Sequence, residues 1–116
     1  MRVMVVDDDP WLAGLLKQLV LSKRPGAEVD CYGDVKSAYA GWQSNKYQLI
    51  LSDWNLPDDS GLTLFQLIRK HDKETPLVMI TGRADRESVL AIRPLAISAY
   101  ITKPFELEEL KNVVSK

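Results

Sequence analysis

The sequence predicts an α/β domain in which a parallel β-sheet is covered by helices on both faces. Short apolar runs rich in β-branched residues, typical of strands buried on both faces of a sheet, alternate with segments whose apolar residues recur at helical spacing. This alternation occurs five times. Five strands that alternate with five helices imply βαβ units, and the right-handed crossovers of such units leave few possible topologies.

The first predicted strand, Val3–Val6, stops at three consecutive aspartates. The helix after them starts near Pro10, a residue tolerated in a first helical turn, and runs to about Lys23, before Pro25-Gly26. The other predicted strands are Glu28–Tyr32, Leu49–Ser52, Leu77–Ile80 and Ala99–Thr102.

The other four predicted helices follow these strands. The second is capped by Asp34, the third begins at Gly61, and the fourth spans Asp85–Arg93, where Pro94 disturbs or ends it. The fifth spans Glu106–Val114 and is expected to turn four apolar side chains inward. These are Leu107, Leu110, Val113 and Val114.

Length and charge limit the classes of function. The 116 residues suit one domain, taken as 1–116, which is either complete or the N-terminal part of a longer protein. Lys plus Arg total 15 and Asp plus Glu total 16, a balance that argues against direct binding to nucleic acid or to a membrane surface. The single Cys31 excludes an internal disulfide, and the opening does not read as a secretion signal. We therefore expect a cytoplasmic location.

Polar residues whose side chains can bind ligands or take part in a reaction follow four of the five strands. In open parallel sheets, ligands bind beyond the carboxyl ends of the strands, where the strand order reverses. If the first and third strands are neighbours, their terminal carboxylates lie in one pocket. The residues at these ends are Asp7, Asp8 and Asp9, then Asp53 and Asn55, then Thr81, and finally Lys103.

Three carboxylates in one pocket indicate a bound cation. Like charges about 5 Å apart repel by roughly 3 kcal/mol at an effective dielectric constant of 20. Oxygen ligands favour Mg²⁺, or Mn²⁺ as a substitute, over Zn²⁺. Lys103 and Thr81 supply the ammonium and hydroxyl groups that hold the oxygens of a transferring phosphoryl group. Asp53, central among them, is the candidate nucleophile for an aspartyl phosphate.

Four motifs, in this order, resemble the receiver domain of two-component response regulators. They are VMVVDDDP near the start, SDWNLPDDSGLTL in the middle, ITG at Ile80–Gly82 and AYITKPF at Ala99–Phe105. The resemblance extends from Met1 to about Lys116. It implies a flavodoxin-like, doubly wound sheet of five parallel strands, in the order 2-1-3-4-5, with five helices.

The resemblance also implies roles for individual residues. Asp53 is the phospho-acceptor. The implied Mg²⁺ ligands are Asp8 and Asp53 directly, Asp7 through a metal-bound water, and Asn55 through its backbone carbonyl.

The remaining implied roles concern the switch. Thr81 binds the phosphoryl group and moves towards it, and the rotamer of Tyr100 follows. Lys103 pairs with a phosphoryl oxygen, or with Asp53 before phosphorylation. The Lys103–Pro104 peptide is expected to be cis, a form that is cheaply available only before proline.

By this resemblance the protein is a phosphorylation-activated signalling switch and not an enzyme, since it assists only its own phosphorylation and dephosphorylation. Its partners are a histidine kinase or phosphotransfer protein, and an output domain or partner protein that reads the surface of the fourth helix, fifth strand and fifth helix. A homodimer formed on phosphorylation is left open.

Two other classes of function remain open. A receiver-like interaction module that works without phosphorylation would usually lose an acid or the lysine, and this chain keeps both. A phosphohydrolase with an aspartyl nucleophile typically places Asp-x-Asp after its first strand, whereas Asp53 follows the third.

Two further expectations concern the end of the fourth helix and two tryptophans. Receiver domains usually end the fourth helix in Gly-Ala, where this chain has Ala96-Ile97, so that helix is expected to end earlier or differently. Trp11 and Trp54 flank the acidic pocket and are expected to be partly exposed.

Overall fold

A computed structural model of the chain describes residues 1–83 and 85–115. It contains a five-stranded parallel sheet in the order β2-β1-β3-β4-β5, which confirms the predicted fold class and strand order. The predicted strands are found within one residue at each end. They are β1 (Arg2–Val6), β2 (Glu28–Tyr32), β3 (Leu49–Ser52), β4 (Leu77–Thr81) and β5 (Ala99–Thr102).

Within the described residues, five α-helices connect and follow the strands, as predicted. They are α1 (Pro10–Lys23), α2 (Val35–Ser44), α3 (Gly61–Arg69), α4 (Arg86–Ile92) and α5 (Leu107–Ser115). The buried residues of α1 and α5 pack on one face of the sheet, and those of α2, α3 and α4 pack on the other. Among residues 1–83 and 85–115, no helix has the length and apolar character needed to cross a membrane.

The central strand β1 shows why its sequence is apolar throughout. Val3 and Val5 belong to the core on the α1 and α5 side, whereas Met4 and Val6 belong to the core on the opposite side. All four side chains are completely buried. A strand covered on both faces has no solvent side, so it lacks the polar alternation of a half-exposed strand.

The register of the sheet aligns the carboxyl ends of its middle strands. Val6, the last residue of β1, pairs with Tyr32 of β2 on one side and with Ser52 of β3 on the other. The amide of Asp53 donates to the carbonyl of Val6 at 2.9 Å, which places Asp53 directly beside the end of β1. The order of the strands reverses here, so the chain's acidic residues lie where ligands of such sheets bind.

The fourth helix ends differently from the common family pattern, as expected. It stops at Ile92, a 3₁₀ turn spans Arg93–Leu95, and Ala96 takes a left-handed conformation with φ of 51°. The protein thus keeps the backbone geometry that glycine favours while carrying an alanine. An L-residue in this region costs roughly 1–2 kcal/mol because its Cβ crowds the following carbonyl oxygen.

Arg69 of α3 holds this unusual connection in place. Its buried guanidinium donates from Nε to the carbonyl of Leu95 at 2.8 Å, and from Nη2 to the carbonyl of Ala96 at 3.4 Å. Nη1 donates to the carbonyl of Asp72 at 3.2 Å. Burial lowers the pKa of Arg69 from its ordinary value. A cation suits this position because carbonyls at a helix C-terminus lack partners within the helix.

Two sequence-based expectations about side chains are wrong. Leu107 is 47% exposed, although Leu110 and Val114 of the same helix are buried. Leu107 lies in the first turn of α5, at the carboxyl edge of the sheet, so the core does not extend beneath it. Trp54 was expected to be partly exposed but is buried, because its ring packs in the core on the α3 side; Trp11, by contrast, is 73% exposed.

Replacing Ala96 by glycine is expected to stabilise the domain. Glycine relieves the left-handed strain at φ of 51°, and part of that gain is offset by the greater flexibility of glycine in the unfolded chain. We expect a net increase of about 0.5–1 kcal/mol in the free energy of unfolding, measured by urea denaturation with an unchanged m-value.

A matched control is Ala91→Gly, at an exposed position inside α4. There the same change should lower the free energy of unfolding by about 0.5–1 kcal/mol. A destabilising Ala96→Gly substitution of similar size would contradict the assignment of strain to Ala96.

Candidate functional site

Three carboxylates meet at the carboxyl ends of β1 and β3. Asp7, Asp8 and Asp53 each offer an oxygen, and these oxygens all lie within 4.8 Å of one another. Asp7 is buried, Asp53 is half-buried and Asp8 is exposed. The cluster therefore has an anchored side within the protein and an open side from which a ligand or water can approach.

Lys103, one residue beyond β5, supplies the positive charge that faces this cluster. Its Nζ lies 3.2 Å from Oδ2 of Asp53 and 3.9 Å from Oδ2 of Asp7. The backbone amide of Lys103 donates to the carbonyl of Thr81 at 2.8 Å, and the Lys103–Pro104 peptide is cis. One ammonium balances one of three carboxylates, so a net negative charge remains in the site.

The environment of Asp7 makes its charge costly. Burial raises the pKa of the Asp7 carboxyl above its usual range, and the neighbouring charge of Asp53 acts in the same direction. The amide of Asp9, which donates to Oδ1 of Asp7 at 2.9 Å, and the ammonium of Lys103 oppose this effect only in part. A further cation near Asp7 would compensate the remaining negative charge of the cluster.

The side chain of Asp53 is fixed at both oxygens. Oδ1 accepts from the amide of Trp54 at 2.7 Å, and Oδ2 accepts from Nζ of Lys103 at 3.2 Å. Its side chain is only 12% exposed. Asp53 therefore presents one defined oxygen, Oδ2, on the side where the lysine lies.

Gly61 allows the helix after this loop to approach the site. A Cβ at position 61 would lie 2.1 Å from the carbonyl oxygen of Asp53, which no side chain could tolerate without a backbone shift. The amide of Gly61 donates to the carbonyl of Trp54 at 2.7 Å and closes the loop. The sequence marked Gly61 only as the start of a helix; its contact with Asp53 is visible only in three dimensions.

Thr81 and Tyr100 lie on the opposite side of the site from α1, and both bind the backbone of Arg83. Thr81 is fully buried, and its Oγ1 accepts from the amide of Arg83 at 3.1 Å. The hydroxyl of Tyr100 donates to the carbonyl of Arg83. Burial raises the pKa of Tyr100. Thr81 does not cap α4, because that role belongs to Asp85, whose side chain accepts from the amide of Ser88.

Asn55 and Arg83 form the outer edge of the site. Both are exposed, and Nε of Arg83 lies 3.4 Å from Oδ1 of Asn55. The guanidinium carbon of Arg83 lies 5.5 Å from the centre of the Trp54 ring, within the range of a cation–π contact. Asn55 and Arg83 are 28 positions apart, and no local pattern in the sequence indicates a contact between their side chains.

The donor set fits a hard divalent ion. Carboxylate oxygens converge from two strands, and no cysteine and no histidine belongs to the cluster that the described residues form. Mg²⁺ prefers oxygen ligands and keeps several waters, which the open side at Asp8 allows. The side chains that could hold it are those of Asp7, Asp8 and Asp53.

Two open clefts differ in their position relative to the carboxylate cluster. A cleft of about 440 Å³ adjoins the cluster and is lined by Asp7 and Asp8 together with Cys31 and Gly33. A larger one, of about 660 Å³, lies at the amino ends of the strands and contains no member of the carboxylate cluster. We assign the functional site to the carboxylate cluster on the basis of its charge and geometry, and not on the basis of cavity size.

Comparisons with known proteins find relatives along nearly the whole chain. The model of the family described as "Response regulator receiver domain" matches residues 3–115. The chain is 33% identical over 110 residues to the transcriptional regulatory protein RprY of Bacteroides fragilis, covering 95% of this chain and 46% of RprY. It is 28% identical over 120 residues to the chemotaxis protein CheY of Pseudomonas aeruginosa, covering 100% of this chain and 94% of CheY.

A solved structure with the same fold carries a ligand. The response regulator protein TrrA of Thermotoga maritima, described in complex with Mg(2+)-BeF, has a TM-score of 0.82 and 32% identity, covering 97% of this chain and 95% of that one. The chain thus spans less than half the length of RprY but nearly all of CheY and TrrA.

Replacing Asp7 by asparagine is expected to stabilise the metal-free domain at neutral pH. The folded state raises the pKa of Asp7, so it binds the proton more tightly than the unfolded chain does, and the stability of the wild type falls as pH rises through that range. Asparagine carries no charge, and its Oδ1 can still accept from the amide of Asp9.

The check is urea denaturation with EDTA present, across a pH series. The variant should have the higher midpoint at pH ~7, and the difference should shrink as pH falls towards the ordinary carboxyl value of 3.8. A lower midpoint for the variant at neutral pH would show that the Asp7 charge is stabilising in the folded state.

Proposed function

The chain belongs to the family of response regulator receiver domains, and we propose that it accepts a phosphoryl group on Asp53 and thereby acts as a phosphorylation-dependent switch of a two-component system. The observation that carries this proposal is the position of Asp53. It lies between the ammonium of Lys103, at 3.2 Å, and the carboxylates of Asp7 and Asp8. Such a group can act as a nucleophile towards phosphorus while nearby charges balance the incoming phosphoryl group.

In the proposed reaction, Oδ2 of Asp53 attacks the phosphorus of a phosphohistidine. The P–N bond breaks, its electron pair leaves with the imidazole, and an acyl phosphate forms on Asp53. The amide of Trp54 holds Oδ1, so the carboxylate does not have to reorient before attack. Lys103 then exchanges its contact with Asp53 for one with a phosphoryl oxygen.

We propose that Asp8 and Asp53 hold Mg²⁺ directly, with Asp7 acting through a water and Asn55 through its backbone carbonyl; Mn²⁺ can substitute. When bound, the ion neutralises negative charge on the phosphoryl oxygens. The excess negative charge of the cluster and the raised pKa of Asp7 support this assignment.

Thr81 and Tyr100 are the proposed relay to the output surface. Thr81 lies at the end of β4, and Tyr100 is on β5, which pairs with β4 in register. We propose that the Thr81 hydroxyl moves towards the phosphoryl group and that Tyr100 follows. The surface formed by α4, β5 and α5 then changes between two states.

The proposed donor is a histidine kinase or a phosphotransfer protein, and the proposed reader is an output domain or a separate partner protein. RprY is named as a transcriptional regulatory protein and CheY as a chemotaxis protein. An attached output domain and a separate partner protein are therefore both proposals for this chain. A cytoplasmic location, a homodimer formed on phosphorylation and the absence of turnover of any external substrate are also proposals.

A phosphorylation-independent interaction module is the main alternative, and the complete set of Asp7, Asp8, Asp53 and Lys103 argues against it. A phosphohydrolase is less well supported, because the candidate nucleophile follows β3 and not β1.

The first prediction from this proposal is a covalent modification. Incubation with acetyl phosphate and Mg²⁺ should add one phosphoryl group to the protein, detected by intact mass, and EDTA should prevent it. Asp53→Asn should abolish the modification, whereas Asp59→Asn, at an exposed acid of the same loop, should leave it unchanged. Persistence of the modification in Asp53→Asn, or no modification of folded wild type, would contradict the proposed acceptor.

The second prediction concerns the metal alone. Mg²⁺ should stabilise the unphosphorylated domain against thermal unfolding, by about 1.4 kcal/mol when its concentration is ten times the dissociation constant. Asp8→Asn should remove most of this effect. Asp9→Asn is the control, because Asp9 caps α1 and asparagine caps a helix equally well. Equal stabilisation of wild type and Asp8→Asn by Mg²⁺ would place the ion elsewhere.

A further inference from the structure

The segment after the proposed phospho-acceptor is a short hairpin, residues 54–61, with Asp58 near its tip. Two backbone hydrogen bonds join the sides of this hairpin. They run from the amide of Leu56 to the carbonyl of Asp59 at 3.3 Å, and from the amide of Gly61 to the carbonyl of Trp54 at 2.7 Å. We call residues 54–61 the acceptor hairpin. Because its sides are bonded to each other, a displacement of its tip is passed on to the rest of the hairpin.

The carbonyl of Asn55 is not used inside the acceptor hairpin. Asn55 faces Ser60 as an antiparallel pair, and the two backbone hydrogen bonds lie on either side of that pair. In such a non-hydrogen-bonded pair, each residue directs its N–H and C=O groups away from the partner strand. Asn55 can therefore offer its carbonyl to an ion, provided that the hairpin keeps its position beside the carboxylate cluster.

Asp58 joins the acceptor hairpin to the start of α2. Its Oδ1 accepts from the amide of Val35 at 2.9 Å, and its Oδ2 accepts from the amide of Lys36 at 3.0 Å. The first amides of a helix lack partners within the helix, and a carboxylate near them is favourable because of the helix dipole. The hydrogen bond from Val35 lowers the pKa of Asp58. Both oxygens of this exposed side chain are thus bound by another element of the fold.

The start of α2 is itself fixed beside the site. The N-cap residue Asp34 accepts from the amide of Ser37 at 2.7 Å, so α2 has a cap of its own. The amide of Asp7 donates to the carbonyl of Tyr32 at 2.9 Å, which ties the connection before α2 to the end of β1. Asp58 therefore attaches the acceptor hairpin to an element that is already held next to the acids of β1.

We propose that Asp58 is a positioning residue for the metal site: by joining the acceptor hairpin to α2, it holds the carbonyl of Asn55 beside the carboxylate cluster. This inference rests on the proposed function, since that carbonyl is one of the proposed Mg²⁺ ligands. Without the contact, the hairpin can hinge at its base. The binding free energy of Mg²⁺ is then offset in part by the ordering of the hairpin, and the ion binds more weakly.

The coupling between Asp58 and the metal site must act in both directions. If Asp58 strengthens the binding of Mg²⁺, then Mg²⁺ strengthens the contact of Asp58 with α2 by the same factor. The amides of Val35 and Lys36 should therefore exchange with solvent more slowly when Mg²⁺ is bound. A residue that only capped α2 would protect these two amides equally with and without Mg²⁺.

The test is a titration of the full chain with Mg²⁺, followed by the amide NMR signals of Asp7 and Asp53. Asp58→Ala removes both hydrogen bonds to α2. Asp34→Ala is the matched control, because it also removes a carboxylate at the start of α2 but leaves the contact of the acceptor hairpin in place. Amide hydrogen exchange at the first two residues of α2 is measured in the same samples, with Mg²⁺ and with EDTA.

We expect Asp58→Ala to weaken Mg²⁺ binding by roughly two- to ten-fold, and Asp34→Ala to match wild type. In wild type, Mg²⁺ should slow the exchange of the two amides, and Asp58→Ala should lose this response. Equal Mg²⁺ affinity of Asp58→Ala and wild type, or equal weakening by both variants, would overturn the positioning role and leave the proposed function intact. Exchange of the wild-type amides at the same rate with and without Mg²⁺ would also overturn it. Absence of Mg²⁺ binding by wild type would overturn both proposals.

Discussion

The crowding of negative charge where β1 and β3 end is the constraint on which the site depends. Parallel pairing places Asp7 and Asp8 beside Asp53, and hydrogen bonds of the sheet prevent them from separating. In such a pocket, repulsion between like charges is a permanent feature of the folded state, and the ammonium of Lys103 balances part of it. The folded domain therefore has excess negative charge in this pocket, which favours the binding of a cation. Such a cation would affect both the stability of the domain and the chemistry of the site.

The acids and the proposed switch residues lie on different strands. β1 and β3 end at the acids, and apart from Arg2 their residues are buried, so the carboxylates are attached directly to the core of the sheet. Thr81 and Tyr100 belong to β4 and β5, on one side of the site. A change in the charge of the central pocket can thus affect residues towards the β5 edge of the sheet without disturbing the core beneath the pocket.

Much of this architecture could be predicted from the sequence, for identifiable reasons. Completely buried strands require uninterrupted apolar runs, and polar residues directly after such runs can only lie at the edge of the sheet. For this reason the strand bounds, the acidic cluster and Lys103 were all predictable. The side-chain contact between Arg83 and Trp54, and the fit of Gly61 against Asp53, depend on how loops pack in three dimensions. No periodic pattern in the sequence encodes them.

The wrong expectations have the same origin. Leu107 follows the helical period of Leu110 and Val114, but periodicity does not indicate where the core ends. Trp54 comes directly after an acid in a polar loop, which suggested exposure, yet its ring turns back into the core on the α3 side.

The way in which Arg69 holds the end of α4 has a consequence for how such a domain can diversify. At the end of α4 its guanidinium donates to the backbone carbonyls of Leu95 and Ala96 and not to the side chains of these residues. Substitutions at Leu95 can alter the neighbouring surface while the hydrogen bond from Arg69 is retained, because every residue type carries the same carbonyl. A lineage of such proteins could thus acquire new partners at this surface by successive single substitutions, without first having to evolve a new way of attaching α4.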